Sequence, residues 1–227
     1  MILDYRNYKI DEIKARLSNT SQKSAVNVLV VGATGVGKST TLNAVFKKNL
    51  ARVGIGCNPE TMSLSKYCLN DYIYLWDSPG LGDSPEADRQ HSTNIIKKLK
   101  ETDDDGKLLI DLVLIILDGG TRDLGTSYKL ISTVIIPNLT GDKRKKVLIA
   151  INQADMVMKG HHWKKNTNSP DIVLREHLKE KSKSIQQRIK DDTGIEIIRP
   201  VCYSAYYNWN LTGLYNHILR FIPRNSK

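Results

Sequence analysis

A mainly parallel α/β sheet covered by helices on both faces is the fold class this sequence predicts, and three observations predict it. From Ala25 onward, strand-like and helix-like segments alternate, the pattern of a layered α/β domain. Asp111-Leu112-Val113-Leu114-Ile115-Ile116-Leu117 is apolar without alternation, as a strand buried on both faces must be. Gly32-Ala33-Thr34-Gly35-Val36-Gly37-Lys38-Ser39 stands between the apolar run Val26–Val31 and a helical pattern at Leu42, Val45 and Phe46. A glycine-rich turn at that junction is where successive backbone N–H groups converge on an anion.

Taken in order, residues 1–20 carry Leu3, Ile10, Ile13 and Leu17 at roughly helical intervals. They predict an amphipathic helix that docks on the domain, and Ser18 to Ser24 follows as a polar linker. The expected strands lie near 26–31, 63–69, 72–77, 111–118, 146–152 and 196–203. The expected helices lie near 38–48, 88–100, 126–137, 171–192 and 211–221. Asn70-Asp71 is a hairpin turn signal, so one strand of the pair around it runs antiparallel to the rest. For the helix near 171–192, Ser169 is the expected cap, with Pro170 at the first helical position, Asp171 in the first turn and Gly194 ending it. The organisation expected is an N-terminal helix and linker over 1–24, one domain over 25–222 and a tail over 223–227.

Composition narrows the class. The 227 residues suffice for one domain with a sizeable core, and no internal repeat or low-complexity tract interrupts them. Leu108–Leu117 is the longest apolar run and is too short to span a bilayer. No secretory leader pattern is present, and Cys57, Cys68 and Cys202 have no metal-ligand spacing. A reducing cytoplasm is the expected compartment. The net charge is +10, and residues 142–183 hold eleven Lys/Arg against five Asp/Glu, or +6 of it. Such a surplus suits an acidic partner, RNA or an anionic membrane surface, and it equally suits solvated helix faces.

The motifs carry the chemistry. The loop amides of Gly32, Thr34, Gly35, Val36 and Gly37, with Thr40 in the following helical turn, can cradle phosphates. Lys38 can reach the β/γ-phosphates and the Ser39 hydroxyl can ligate Mg²⁺. Asp77-Ser78-Pro79-Gly80 ends the strand Tyr72–Trp76. A carboxylate there can hold Mg²⁺ through its water shell, and the Gly80 N–H can donate to a γ-phosphate. Asn152-Gln153-Ala154-Asp155 ends the strand Val147–Ile151. The Asp155 carboxylate can accept from guanine N1–H and its 2-amino group; adenine offers neither, so a site built this way rejects it. Asn152 can brace the loop and the Gln153 stem can cover one face of the base. Ser204-Ala205 follows the last strand and can offer the Ala205 N–H to guanine O6. Thr61, in Asn58-Pro59-Glu60-Thr61, is the candidate for Mg²⁺ and the γ-phosphate from the loop before the second strand.

In that order, Gly32–Ser39, Thr61, Asp77–Gly80, Asn152–Asp155 and Ser204-Ala205 resemble the five guanine-nucleotide motifs of small P-loop GTPases. The resemblance covers about residues 25–222. It is similar in particular to the septin, Era and TrmE branch and to bacterial YfjP-type GTPases, through Ile151–Met156 followed by Lys159-Gly160-His161-His162-Trp163. It implies GTP and GDP as ligands, Mg²⁺, a six-stranded sheet with one antiparallel strand, and a GTP-dependent homodimer through the nucleotide face. Lys38, Thr61 and Gly80 are the expected catalytic set, with Ser39, Thr61 and Asp77 around the metal.

Three departures shape the expectation. Leu81 follows Gly80 where Ras-like proteins carry a water-orienting glutamine, so intrinsic turnover should be slow, on the order of 10⁻⁴ to 10⁻² s⁻¹. Arg89, His91 or a second molecule would then supply the missing group. Gly35 stands where potassium-activated relatives carry asparagine and is shared with septin-like proteins that pair through their nucleotide faces. Gln153 replaces the usual lysine. The function expected is a slow, Mg²⁺-dependent GTPase switch whose loops near 50–62 and 78–92 respond to loss of the γ-phosphate. The alternatives are a ribosome- or RNA-associated assembly factor and a P-loop ATP-dependent, kinase-like enzyme; Asn-Gln-Ala-Asp argues against the latter. Replacing Lys38 by Ala should abolish tight GTP binding, measured by titrating labelled GTP; retained micromolar affinity would refute the phosphate loop.

Overall fold

A computed structural model describes residues 3–18, 24–47, 64–82, 84–121, 124–142 and 146–222. Thr61, Cys57, the tail and Lys143-Arg144-Lys145 lie outside them. The elements follow in chain order as α1 (Ile10–Ser18), β1 (Val26–Val31), α2 (Lys38–Phe46), β2 (Ser65–Asn70) and β3 (Ile73–Asp77). Then come α3 (Pro85–Lys100), β4 (Leu112–Asp118), α4 beginning at Gly125–Lys129, β5 (Val147–Asn152) and a 3₁₀ segment at Ala154–Gly160. The chain closes with β6 (Trp163–Lys164), β7 (Ser169–Pro170), α5 (Ile172–Thr193), β8 (Val201–Cys202) and α6 (Leu211–Leu219).

Six strands form one sheet in the order β2-β3-β1-β4-β5-β8. The β2–β3 pair is antiparallel, with a bulge between Cys68 and Asn70, and the other pairings are parallel. The hairpin expected at Asn70-Asp71 is there. Strand order reverses at β1, which has β3 on one side and β4 on the other. Ligands of open α/β sheets bind beyond the carboxyl ends of the strands at such a switch point.

Burial explains why β4 reads as unbroken apolar sequence. Leu112, Leu114 and Ile116 face one core with Val28, Val30, Leu42, Leu214 and Ile218. Val113, Ile115 and Leu117 face the other, with Leu29, Val31, Ile95, Ile131 and Ile185. Ile13 and Leu17 of α1 join the first core, where Tyr5 meets the Tyr215 ring at 5.4 Å and Arg16 Nη1 donates to Leu219 O at 2.9 Å. A third cluster sits beyond the end of β5: Ala154, Val157, Trp163, Leu174 and Leu178, with the Trp163 ring 5.2 Å from Tyr207 and 5.8 Å from Trp209. Among the described residues no helix is long and apolar enough to cross a membrane.

The structure corrects several boundaries. The strand expected over 196–203 shrinks to Val201–Cys202, because Pro200 has no N–H to give to β5. α3 starts at Pro85 rather than 88: Ser84 Oγ accepts from Ala87 N at 3.2 Å, with Pro85 in the first helical position. The helix expected over 126–137 changes character along its length, passing through a π-helical turn (Leu130–Ile135) into a 3₁₀ turn (Ile136–Asn138). Pro137 cannot donate to residue 133 and its ring crowds that carbonyl, so the ladder must shift. Ser169-Pro170 is not the start of α5. The pair forms β7, with Pro170 opposite Trp163, and the cap is Asp171, whose Oδ1 accepts from Leu174 N at 2.9 Å. Asp171 Oδ2 also meets His162 Nδ1 at 2.8 Å, which ties the hairpin to the helix. Asp171→Ala should therefore lower stability by about 1 kcal/mol, while Ser169→Ala should not; urea midpoints of the two variants check this.

Candidate nucleotide site

The phosphate loop leaves β1 at Gly32 and enters α2 at Lys38. Gly37 has φ +88°, and a Cβ there would lie 2.3 Å from Asn152 Nδ2, so only glycine fits the turn. Lys38 is almost wholly buried, and its Nζ donates to Gly32 O at 3.0 Å and Ala33 O at 3.1 Å. The cation is thus held across the mouth of the loop. Thr34, Gly35, Ser39 and Thr40 are exposed at its rim, and Val36 is buried beneath. Thr41 anchors the first turn of α2. Its Oγ1 donates to Gly37 O at 2.8 Å, so the bond at 2.8 Å to Tyr203 is donated by the tyrosine hydroxyl. The sequence carries no signal for this tie, since the two residues are 162 positions apart.

Asp77 ends β3 beside the loop. Its Oδ1 is buried without a hydrogen-bond partner among the described residues. Burial raises its pKa to about 6 against the opposing pull of Lys38. Gly80 lies directly on the phosphate loop: a Cβ would fall 2.4 Å from Thr34 Oγ1. The next residue is stitched to it, with Thr34 N donating to Leu81 O at 2.7 Å and Leu81 N to Gly32 O at 3.4 Å. The Leu81 side chain turns away into the second core and is 5% exposed. The two groups named as replacements for a water-orienting glutamine have other partners. Arg89 pairs with Glu86 on the surface at 3.0 Å, and His91 Nδ1 bonds Gly80 O at 3.0 Å.

At the other wall, Asn152 is buried and bridges three segments. Its Nδ2 donates to Val36 O at 2.9 Å, and its Oδ1 accepts from Ala205 N at 3.0 Å. The Ala205 N–H, expected to face a base, is thus engaged by Asn152. Gln153 adopts φ +58° and its Nε2 donates to Gly35 O at 2.8 Å, so its amide is committed to the phosphate loop. Asp155 is buried, and its Oδ1 has no hydrogen-bond partner among the described residues. Ser204 is fully buried; its hydroxyl accepts from Tyr207 N at 3.2 Å and its N–H donates to Trp209 O at 3.0 Å. Its contacts are thus internal to the turn. The structure therefore brings together Gly32–Thr40, Asp77, Gly80, Asn152, Gln153 and Ala205 around one crevice beyond the strand ends. Thr61 falls outside the described residues. Among those described, no three His, Cys, Asp or Glu side chains gather to hold a metal by themselves.

The sequence pattern of the 50S ribosome-binding GTPase family matches residues 27–153, from β1 to just past β5. This chain belongs to that P-loop GTPase family. Its relatives include the Escherichia coli protein YkfA, 24% identical over 201 residues, which cover 87% of this chain and 62% of YkfA. The GTP-binding protein EngB of Lactobacillus acidophilus is 29% identical over 184 residues, 77% of this chain and 88% of EngB. Among solved structures, Toc33 of Arabidopsis thaliana with GDP and Mg²⁺ superposes with a TM-score of 0.65 at 17% identity, covering 96% of this chain and 91% of Toc33. A structure described as showing that dimerisation matters for the GTPase activity of the chloroplast translocon components atToc33 and psToc159 gives 0.66 at 17% identity, covering 98% and 92%. These likenesses show the fold. The expected P-loop GTPase family and the α/β fold class therefore stand.

The raised Asp77 pKa has a direct consequence for this GTPase. Its native carboxyl keeps a proton that the unfolded chain has already released, so stability falls as pH rises from about 4 to about 6. Asp77→Asn should flatten that part of the nucleotide-free chain's stability profile and raise stability at pH 7 by on the order of 2 kcal/mol. Urea unfolding at successive pH values measures both.

Proposed function

We propose that this GTPase binds GTP and GDP as Mg²⁺ complexes, hydrolyses GTP slowly and works as a nucleotide-dependent switch. The observation that carries the reading is the Asp155 carboxylate, buried just past the end of β5 with Oδ1 unpartnered among the described residues. A buried acceptor left without a donor costs free energy, and a base presenting two N–H donors would remove that cost. Guanine presents them through N1 and the 2-amino group.

At the opposite wall, the loop amides and Lys38 would neutralise β/γ charge. Lys38 is already held there by two carbonyls, so little conformational entropy remains to be lost on binding. Ser39 and Asp77 suit a Mg²⁺ site: an exposed hydroxyl in the first turn of α2 and a buried carboxylate oxygen without a partner among the described residues, with Thr61 as the further ligand the sequence offers. Bound Mg²⁺ supplies charge neutralisation and polarises the phosphoryl oxygens. Gly80 offers its N–H to a γ-phosphate, and its contact with Thr34 lets that donor report on the loop's occupant. With Leu81 in the core, no side chain at that position orients water, which supports slow intrinsic turnover.

Three finer readings go with this one. Septin, Era and TrmE relationships account for the Asn-Gln-Ala-Asp segment and Gly35, and with them a GTP-dependent homodimer across the nucleotide face. The charge surplus of residues 142–183 suits an acidic partner, RNA or an anionic membrane surface. A cytoplasmic setting fits three scattered cysteines, Cys57, Cys68 and Cys202, that have no metal-ligand spacing. Asp155→Asn tests the central claim. It should shift preference from GTP toward xanthosine triphosphate, read by competition against labelled GDP; unchanged GTP affinity would remove Asp155 from the base site.

A further inference from the structure

We infer that Lys181, on α5, is a positioning residue for guanine recognition: it pins the turn after β4 that supports the base-reading turn Asn152–Val157. The inference rests on the base-reading role proposed for Asp155. Lys181 does not approach the nucleotide crevice through any motif, and nothing in its sequence neighbourhood, Glu180-Lys181-Ser182, separates it from a solvated helix lysine.

The geometry does separate it. Lys181 Nζ donates to Gly119 O, and to Thr121 O at 3.0 Å, two carbonyls of the turn that follows β4. Burial against that turn lowers its pKa, and Asp118 opposes the shift. The turn is closed on its other side by Asp118 Oδ1, which accepts from Gly120 N at 2.7 Å. A half-buried ammonium that spends two donors on backbone carbonyls is committed to a single place.

That place is directly against the base-reading turn. Gly119 N donates to Asn152 O at 2.7 Å. A Cβ on Gly119 would meet Asn152 O at 2.6 Å and Val157 Cγ2 at 3.2 Å, and one on Gly120 would meet Met156 Cβ at 3.0 Å. The two turns are joined backbone to backbone at Gly119 N and Asn152 O, and the side chains of Val157 and Met156 pack directly on the two glycines, leaving little room to absorb a shift. A displacement of Gly119 or Gly120 is therefore passed on to Asn152 and to the residues on either side of Asp155. Packed interfaces of this kind move as units rather than yielding gradually.

The consequence is specific to the exocyclic amine. Asp155 must reach both N1–H and the 2-amino group of guanine, whereas inosine keeps only N1–H. A slightly displaced Asp155 loses more with GDP than with IDP. Lys181→Met retains the aliphatic stem and removes the ammonium. It should lower the GDP-to-IDP affinity ratio by about threefold to tenfold, measured on the full chain by displacement of labelled GDP, with the melting temperature recorded alongside. Gly120→Ala perturbs the same contact without touching the lysine and should lower the ratio in the same direction. Asp155→Asn, run in parallel, reports on the base reading itself. A wild-type ratio in Lys181→Met, with guanine preference lost in Asp155→Asn, overturns the positioning role. Should Lys181→Met fail to fold, Lys181→Gln, which also removes the ammonium, decides: a lowered ratio upholds the inference and an unchanged one ends it. An unchanged ratio in Asp155→Asn would instead remove the base reading and the inference together.

Discussion

The Asn152 side chain is the tie on which the rest of the site depends. One amide donates to the Val36 carbonyl of the phosphate loop and accepts from the Ala205 N–H of the turn after β8. It is buried, so both bonds form away from competing water, and losing either would strand a backbone group in the interior. The phosphate loop, the end of β5 and the last turn are thereby fixed as one body. Gly37 lies so close to this amide that a side chain there would strike it. Gln153 adds a second, exposed stitch to Gly35.

Around that body the sheet arranges its charges. β1 is flanked by β3 and β4, so the ends of three parallel strands open on one crevice. Lys38 lies over the loop, while Asp77 and Asp155 each keep a buried oxygen without a partner among the described residues. Two orphaned carboxylate oxygens are costly in a folded chain. In the function proposed above, one would face phosphate and metal and the other the base, and the cost of holding them would be offset when a ligand arrives. The same economy explains Leu81. Its backbone extends the phosphate loop by a bridge to Ala33, while its side chain contributes to the second core rather than to the reaction.

Some features were legible because they are local. Gly32–Ser39 must be a phosphate loop wherever it follows a strand and precedes a helix. The alternation of both-face burial in β4 follows from Leu112–Leu117 alone, and the hairpin at Asn70-Asp71 follows from turn chemistry. The misread boundaries are places where a distant partner outcompeted a local signal. Ser169-Pro170 has the look of a helix start, yet Pro170 lies opposite Trp163 in a hairpin and Asp171 takes the cap because His162 holds its other oxygen. The strand expected from 196 yields to Pro200. Ser204 and the Ala205 N–H, expected at the base, are consumed by Tyr207 and Asn152.

The sequence by itself determined the fold class and the P-loop, and it supplied the carboxylate proposed to select a base, because each is set by residue type and spacing along one strand end. Only the tertiary structure decided which groups remain available there. Hydrogen-bond partners such as Thr41 with Tyr203, or Lys181 with Gly119, lie dozens to more than a hundred residues apart. No local pattern encodes such pairs, since burial makes them pair only after the sheet has brought them together.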